Sequence, residues 1–184
     1  MKPTEVLMQE HELIKQMLTV INKICDKLQA GEKVDGSHLE QIVDFIRNFA
    51  DKCHHGKEED ILFDSMVEAG FSKEAGPIGV MLSEHDLGRD FVSGLSEAIE
   101  GYNKGDMNAI SAIVANAQRY STLLDQHIDK ENNVLFPMAD ARLTQEQQNK
   151  MVKEFDKFEE QEMGTEIHEK YHRILNDLKT LYLQ

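Results

Sequence analysis

The sequence predicts an all-α protein: an antiparallel four-helix bundle of two pseudo-repeated helical hairpins, followed by a C-terminal helical extension. Three observations predict it. Long runs rich in Leu, Ile, Met, Glu, Lys and Gln favour helix, and no run of alternating β-branched residues competes with them. Glycine and proline divide the 184 residues into six helix-length segments. The first four of those segments repeat in pairs.

The first helix is expected from about Pro3 to about Ala30, stopped by Gly31. The second starts near Ser37, a good N-cap, and ends before Gly70. Gly76-Pro77 opens the third, with proline suited to a first turn, and this helix should fray around Gly101–Gly105. Asp106 is placed to cap the fourth, which meets Pro137 and should end about there. Thr144 with Gln147 makes a capping box for a fifth helix, up to about Gln161. Gly164-Thr165 introduces the last, to about Leu181. Residues 1–140 accordingly form the bundle. Residues 141–184, acidic and amphipathic, cover one end of it or build an oligomer contact.

The repeat is explicit. "EHELIKQML" (10–18) and "EHDLGRDFV" (84–92) align at an offset of 74 and set His11 over His85. "KCHHGKEEDILFDSM" (52–66) and "DQHIDKENNVLFPMAD" (125–140) align through their Leu-Phe pairs, setting His54 over His127 and Glu58 over Glu131. In the first, third and fourth helices the histidine falls on the apolar stripe. The second helix is less regular. Leu39, Ile42, Val43, Ile46, Phe49 and Ala50 imply that position 53, not 54, faces inward. Either a π-bulge near Cys53–Gly56 absorbs one residue, or the inward pair is His55/Glu59. The interval from His11 to His54 is 43 residues against 42 from His85 to His127, which favours the bulge and His54/Glu58.

Composition excludes other classes. A net charge of −14 disfavours binding to nucleic acid and to anionic membranes. No segment reads as a signal peptide or a membrane span, and Cys25 and Cys53 do not make a disulfide framework. A cytoplasmic protein is the expectation. Folding the bundle brings together one histidine per helix and two glutamates. Burying that set uncompensated costs several kcal/mol, whereas a bridged metal pair removes the cost. Two histidines per ion and two shared carboxylates suit iron, with manganese or zinc as alternatives, and leave coordination positions open.

The elements "EHELI", "CHHGKEEDILF", "EHDLGRD" and "HIDKENNVLFPMA" resemble the HHE motifs of the hemerythrin-like family, over about residues 4–140. The resemblance implies a non-haem di-iron centre, oxo- or hydroxo- and carboxylate-bridged, inside a four-helix bundle. It selects His11, His54, Glu58, His85, His127 and Glu131 as ligands. Oxygen-carrying members have a further histidine one turn after the third-helix ligand and a final aspartate; here those positions hold Arg89 and Glu131. The pattern is more similar to four-histidine, two-glutamate members, including di-iron proteins linked to nitrosative stress and iron–sulfur repair. Those repair proteins add an N-terminal cysteine-containing domain with no counterpart in this sequence.

The expected function is binding or reduction of a small ligand (O₂, NO or peroxide) at that centre, with an unidentified redox partner. A non-enzymatic iron or oxygen sensor, an iron store, and a zinc-stabilised bundle without turnover are the alternatives. Among other residues, Tyr120 lies on the face of His127, and Lys15 and Arg89 stand one turn after His11 and His85. Cys53 is a weak candidate for redox coupling, and His168/His172 offer an i, i+4 pair without a partner set.

Overall fold

The computed structural model describes residues 1–162 and 164–184, and among these every regular element is helical. The six helices are α1 (Pro3–Gln29), α2 (residues 36–68), α3 (Gly76–Asn103), α4 (residues 109–142), α5 (Gln145–Glu162) and α6 (Gly164–Tyr182). Helices α1 to α4 make the bundle, with α4 packed between α1 and α3, and α2 against α3.

The punctuation holds with local corrections. Gly31 (φ 78°) and Gly70 (φ 102°) end α1 and α2 in the left-handed region. Asp35, not Ser37, caps α2, its carboxylate accepting from the Ser37 N–H at 2.9 Å. Asp106 accepts from the Asn108 N–H at 2.9 Å, organising the turn before α4 starts at Ala109. Thr144 and Gln147 form the expected reciprocal box.

Two of the bundle helices are not regular. Helix α2 is α-helical over Gly36–Phe45, π-helical over Ile46–His55 and Glu58–Leu62, and α-helical again over Phe63–Glu68. The expected extra residue is therefore present, spread over a longer stretch than a single bulge. One marker is the Gly56 N–H, which reaches the Asp51 carbonyl five residues back. Helix α4 has a matching π segment, Glu131–Leu135, that its sequence did not announce. There the Phe136 N–H bonds to the Glu131 carbonyl. This wider turn opens the backbone ahead of Pro137, whose ring would otherwise press on the preceding turn. The helix consequently continues past the proline to Arg142 instead of ending there.

The core is divided in two along the bundle. One part gathers Ile14, Ile21, Phe45, Phe49, Leu95 and Ile113 with their neighbours. The other gathers Leu7, Leu62, Phe63, Met81, Leu135 and Phe136. Between them lies a polar layer holding His11, His54, Glu58, His85, His127 and Glu131, each at most 2% exposed. The extension packs on both parts. Met151 and Phe155 of α5 join the second, and Tyr171, Leu175 and Leu178 of α6 join the first. Among the described residues, no helix is long and apolar enough to cross a membrane.

Candidate metal centre

Each bundle helix contributes its histidine because that position lies on the buried face, with a buried apolar residue about one turn before it: Leu7, Ala50, Met81 and Leu124. The π segments of α2 bring two consecutive histidines inward, His54 (1% exposed) and His55 (4%), which a regular helix would splay by about 100°.

The four imidazoles of the polar layer share one orientation. Nδ1 of His54 lies 2.8 Å from Glu10 Oε2, and Nδ1 of His127 lies 2.9 Å from Glu84 Oε2. Nδ1 of His85 lies 2.7 Å from Glu59 Oε1, and Nδ1 of His11 lies 2.8 Å from Asn132 Oδ1. A carboxylate or amide oxygen only accepts, so each Nδ1 carries the proton and each Nε2 presents a lone pair. Those lone pairs converge. His85 Nε2 and His127 Nε2 stand 3.0 Å apart. His11 and His127 Nε2 each lie 3.2 Å from Glu131, through Oε2 and Oε1 respectively. Glu58 offers Oε1 to His54 at 3.4 Å and Oε2 to His85 at 3.5 Å. Each carboxylate thus faces both halves of the layer, one oxygen to each.

Both oxygens of Glu58, both of Glu131 and Nε2 of His11 are buried without a hydrogen-bond partner. Eight acceptor atoms without a donor among them would repel in a dry core. Cations between them reverse the sign. The fit is specific: two nitrogens held about 2.1 Å from one ion at adjacent positions are about 3 Å apart. Two groups satisfy metal-ligand spacing, His11/His54/Glu58/Glu131 and His55/Glu58/His85/His127. The protein's own alternative to a cation is protons. Burial pulls His54 and His127 down, but Glu58 and Glu10 outweigh it at His54, pushing it up to about 10, and Glu131 does so at His127, up to about 9.

The carboxylates behind the histidines were not singled out by sequence reasoning, although the sequence repeats them. The duplicated "EH" places Glu10 and Glu84 before His11 and His85. Each also pairs with a repeated lysine, Glu10 with Lys57 and Glu84 with Lys130. Lys57 is fully buried, and Glu159 of α5 reaches it at 3.3 Å. The extension therefore covers the His54 side of the layer.

His55 breaks the repeat, since Ile128 stands at its counterpart in α4. Its ring stacks on His85 with centroids 3.8 Å apart and planes within 14°. Asp51 accepts from its Nδ1 at 3.1 Å, and its Nε2 is buried without a partner. Burial and the neighbouring His85 hold it well below the ordinary histidine range, hence neutral. Its ring lies parallel to that of His85, and one of its nitrogens sits within 4.8 Å of donor atoms of Glu58, His85 and His127, a further nitrogen beside that half of the layer. Glu59 stands outside the layer, held by Arg89 at 2.7 Å.

Arg89 also bonds Asp51 and Asp86, and Lys15 pairs with Asp129 at 3.0 Å, so neither enters the layer. Tyr120 is buried and lines a cavity beside His85 and His127. Burial pushes the Cys53 thiol up to about 12, which removes the thiolate that redox coupling needs. His168 and His172 have ring centroids 4.6 Å apart, and among the described residues no third ligand joins them.

A helical bundle with histidines and shared carboxylates in a buried layer defines a class: bundle proteins built to hold a metal pair. The comparisons give the family. Residues 2–139 match the hemerythrin HHE cation-binding domain, and the chain belongs to that family. It is 26% identical over 133 residues to an uncharacterized protein of Mycobacterium tuberculosis, covering 72% of this chain and 51% of that one. It is 40% identical over 90 residues to the iron-sulfur cluster repair protein YtfE of Yersinia pestis, covering 47% of this chain and 40% of that one. The corresponding protein of Pectobacterium carotovorum is 39% identical over 89 residues, with the same coverage. The chain spans about half the length or less of the curated relatives it matches.

Proposed function

We propose that the protein holds two iron ions and binds or reduces a small ligand, O₂, NO or peroxide, at an open position on the His85/His127 side. The observation that carries this reading is the shared orientation of the four imidazoles. Every Nδ1 is engaged from outside, so every Nε2 is committed to the centre. His11 and His54 would hold one ion, His85 and His127 the other, with Glu58 and Glu131 bridging. Iron, when bound, supplies electrons and Lewis acidity to the ligand. The mixed nitrogen and oxygen donors suit iron, zinc and manganese alike; iron is supported by the names of the repair proteins among the relatives.

The chain's own residues set which side opens. A phenylalanine stacks on each side, Phe136 on His11 and Phe63 on His85, but α5 covers Lys57 next to His54 whereas a cavity lies beside His85 and His127. On that second side, His55 presents an unpartnered acceptor beside His85, where it can hold the proton of a protonated ligand such as peroxide. Reduction further requires an electron donor, and the proposed setting is cytoplasmic. The test is anaerobic purification with metal analysis and an optical spectrum, before and after air. Iron with a ferric absorption that grows on exposure is expected. Zinc alone, with no spectrum, would move the protein to the structural alternative.

A further inference from the structure

A cavity of about 190 Å³ lies beside the His85/His127 half of the layer, between α2, α3 and α4. A diatomic ligand needs little more than a water's share of liquid volume, about 30 Å³, while an apolar cavity of about 150 Å³ holds benzene. The space is therefore several times too large for the ligands considered above. Its walls include Ile46, Gly88, Val92, Tyr120 and Leu124.

The repeat shows where the space comes from. The offset that sets His11 over His85 sets Ile14 over Gly88. Ile14 is 1% exposed and fills its side of the bundle, whereas Gly88 leaves that volume empty. Glycine is unfavourable inside a helix, and no close backbone approach requires it here. An added Cβ would meet Tyr120, Leu123 and Leu124 at 3.7, 3.8 and 3.9 Å, ordinary contact distances.

Nor do the charged groups at the cavity's edge favour an ion. Glu84 is engaged by His127 and Lys130, Asp51 by His55 and Arg89, and Arg89 by three carboxylates. Arg47, the remaining charged residue of the lining, is exposed, so its charge stays hydrated from the solvent side. We propose that this cavity binds a neutral, apolar organic molecule of about benzene to toluene size, seated against the His85/His127 half of the metal layer. This goes beyond the small-ligand reading and does not depend on which metal is present.

The test is calorimetric titration of toluene into the metal-loaded protein, with benzoate as the charged analogue of similar size. Toluene is expected to bind, and benzoate at least tenfold more weakly. Gly88→Leu should fill the space and weaken toluene at least tenfold, with metal content unchanged and the melting temperature not lowered. Gly88→Ala, which fits with ordinary contacts, should weaken it by a smaller factor and keeps the test alive should the leucine variant not fold. Absence of toluene binding, benzoate binding as tightly as toluene, or toluene affinity indifferent to Gly88→Leu and Gly88→Ala overturns the proposal. None of these outcomes bears on iron content, so failure here is separable from failure of the redox reading.

Discussion

Glu10 accepts the Nδ1 proton of His54 at 2.8 Å, and this pairing recurs in the second hairpin between Glu84 and His127. The two glutamates fix tautomer and ring orientation from outside the metal layer, a role whose loss commonly lowers metal affinity 10–100-fold. Glu84→Gln should do so here. Its amide can turn an NH₂ toward Nδ1 and force the other tautomer, aiming an N–H at the ion. Competition with a chelator measures the change, and an unaltered affinity would deny the glutamate this role.

The paired lysines should behave differently. Lys57 is buried beneath α5 and bonds Glu10 and Glu159, while the Lys130 side chain is 43% exposed. Lys57→Met removes one partner of a buried ion pair and should cost about 3–5 kcal/mol in denaturant unfolding. Lys130→Met loses a solvent-screened pair and should cost about 1 kcal/mol or less. Equal effects would mean that α5 does not seal the His54 side in solution.

Gly56 tests the docking of α5 independently. A Cβ there would come within 2.6 Å of Phe158 Cζ, closer than side chains approach. Gly56→Ala must displace the Phe158 ring, a cost of about 1–3 kcal/mol that the helix propensity of alanine offsets by about 1 kcal/mol, so a net loss of about 2 kcal/mol or less is expected. Adding Phe158→Ala should recover part of the loss, a coupling that thermal melts of the double-mutant cycle will read. Strictly additive effects would place Phe158 away from Gly56.

The histidine pair of α2 separates ligand from neighbour. His54→Ala should lose metal, because its Nε2 faces Glu58 and the His11 half of the layer. His55→Phe keeps the stack on His85 and should retain two ions per chain while altering azide or NO affinity, seen by titration. Metal lost with His55 but kept without His54 would shift the ligand register by one residue.

Much of this arrangement was legible in the sequence. Gly31, Gly70 and the Thr144–Gln147 box act locally, so the helix ends they set could be read directly. The repeat selected the six residues that the structure gathers in one buried layer. The one-residue misfit between Phe49 and His54 announced irregular winding in α2. It could not show that the same winding turns His55 inward as well. The π segment at Glu131–Leu135 left no such trace, because the His127–Glu131 spacing suits a regular helix too, and Pro137 looked like an end. Glu10 and Glu84 were readable as a repeat but not as hydrogen-bond acceptors. Their partners lie on other helices, which only tertiary packing brings near. The cavity at Gly88 is legible only beside Ile14 in the folded bundle.

The most direct test of a bridged metal pair is anomalous diffraction at the absorption edge of the bound metal. Two peaks per chain are expected, about 3.5–4 Å apart as in two-metal sites, one near His11 and His54 and the other near His85 and His127, with Glu58 and Glu131 between them. A single peak, or two peaks that Glu58 and Glu131 do not bridge, would contradict the account.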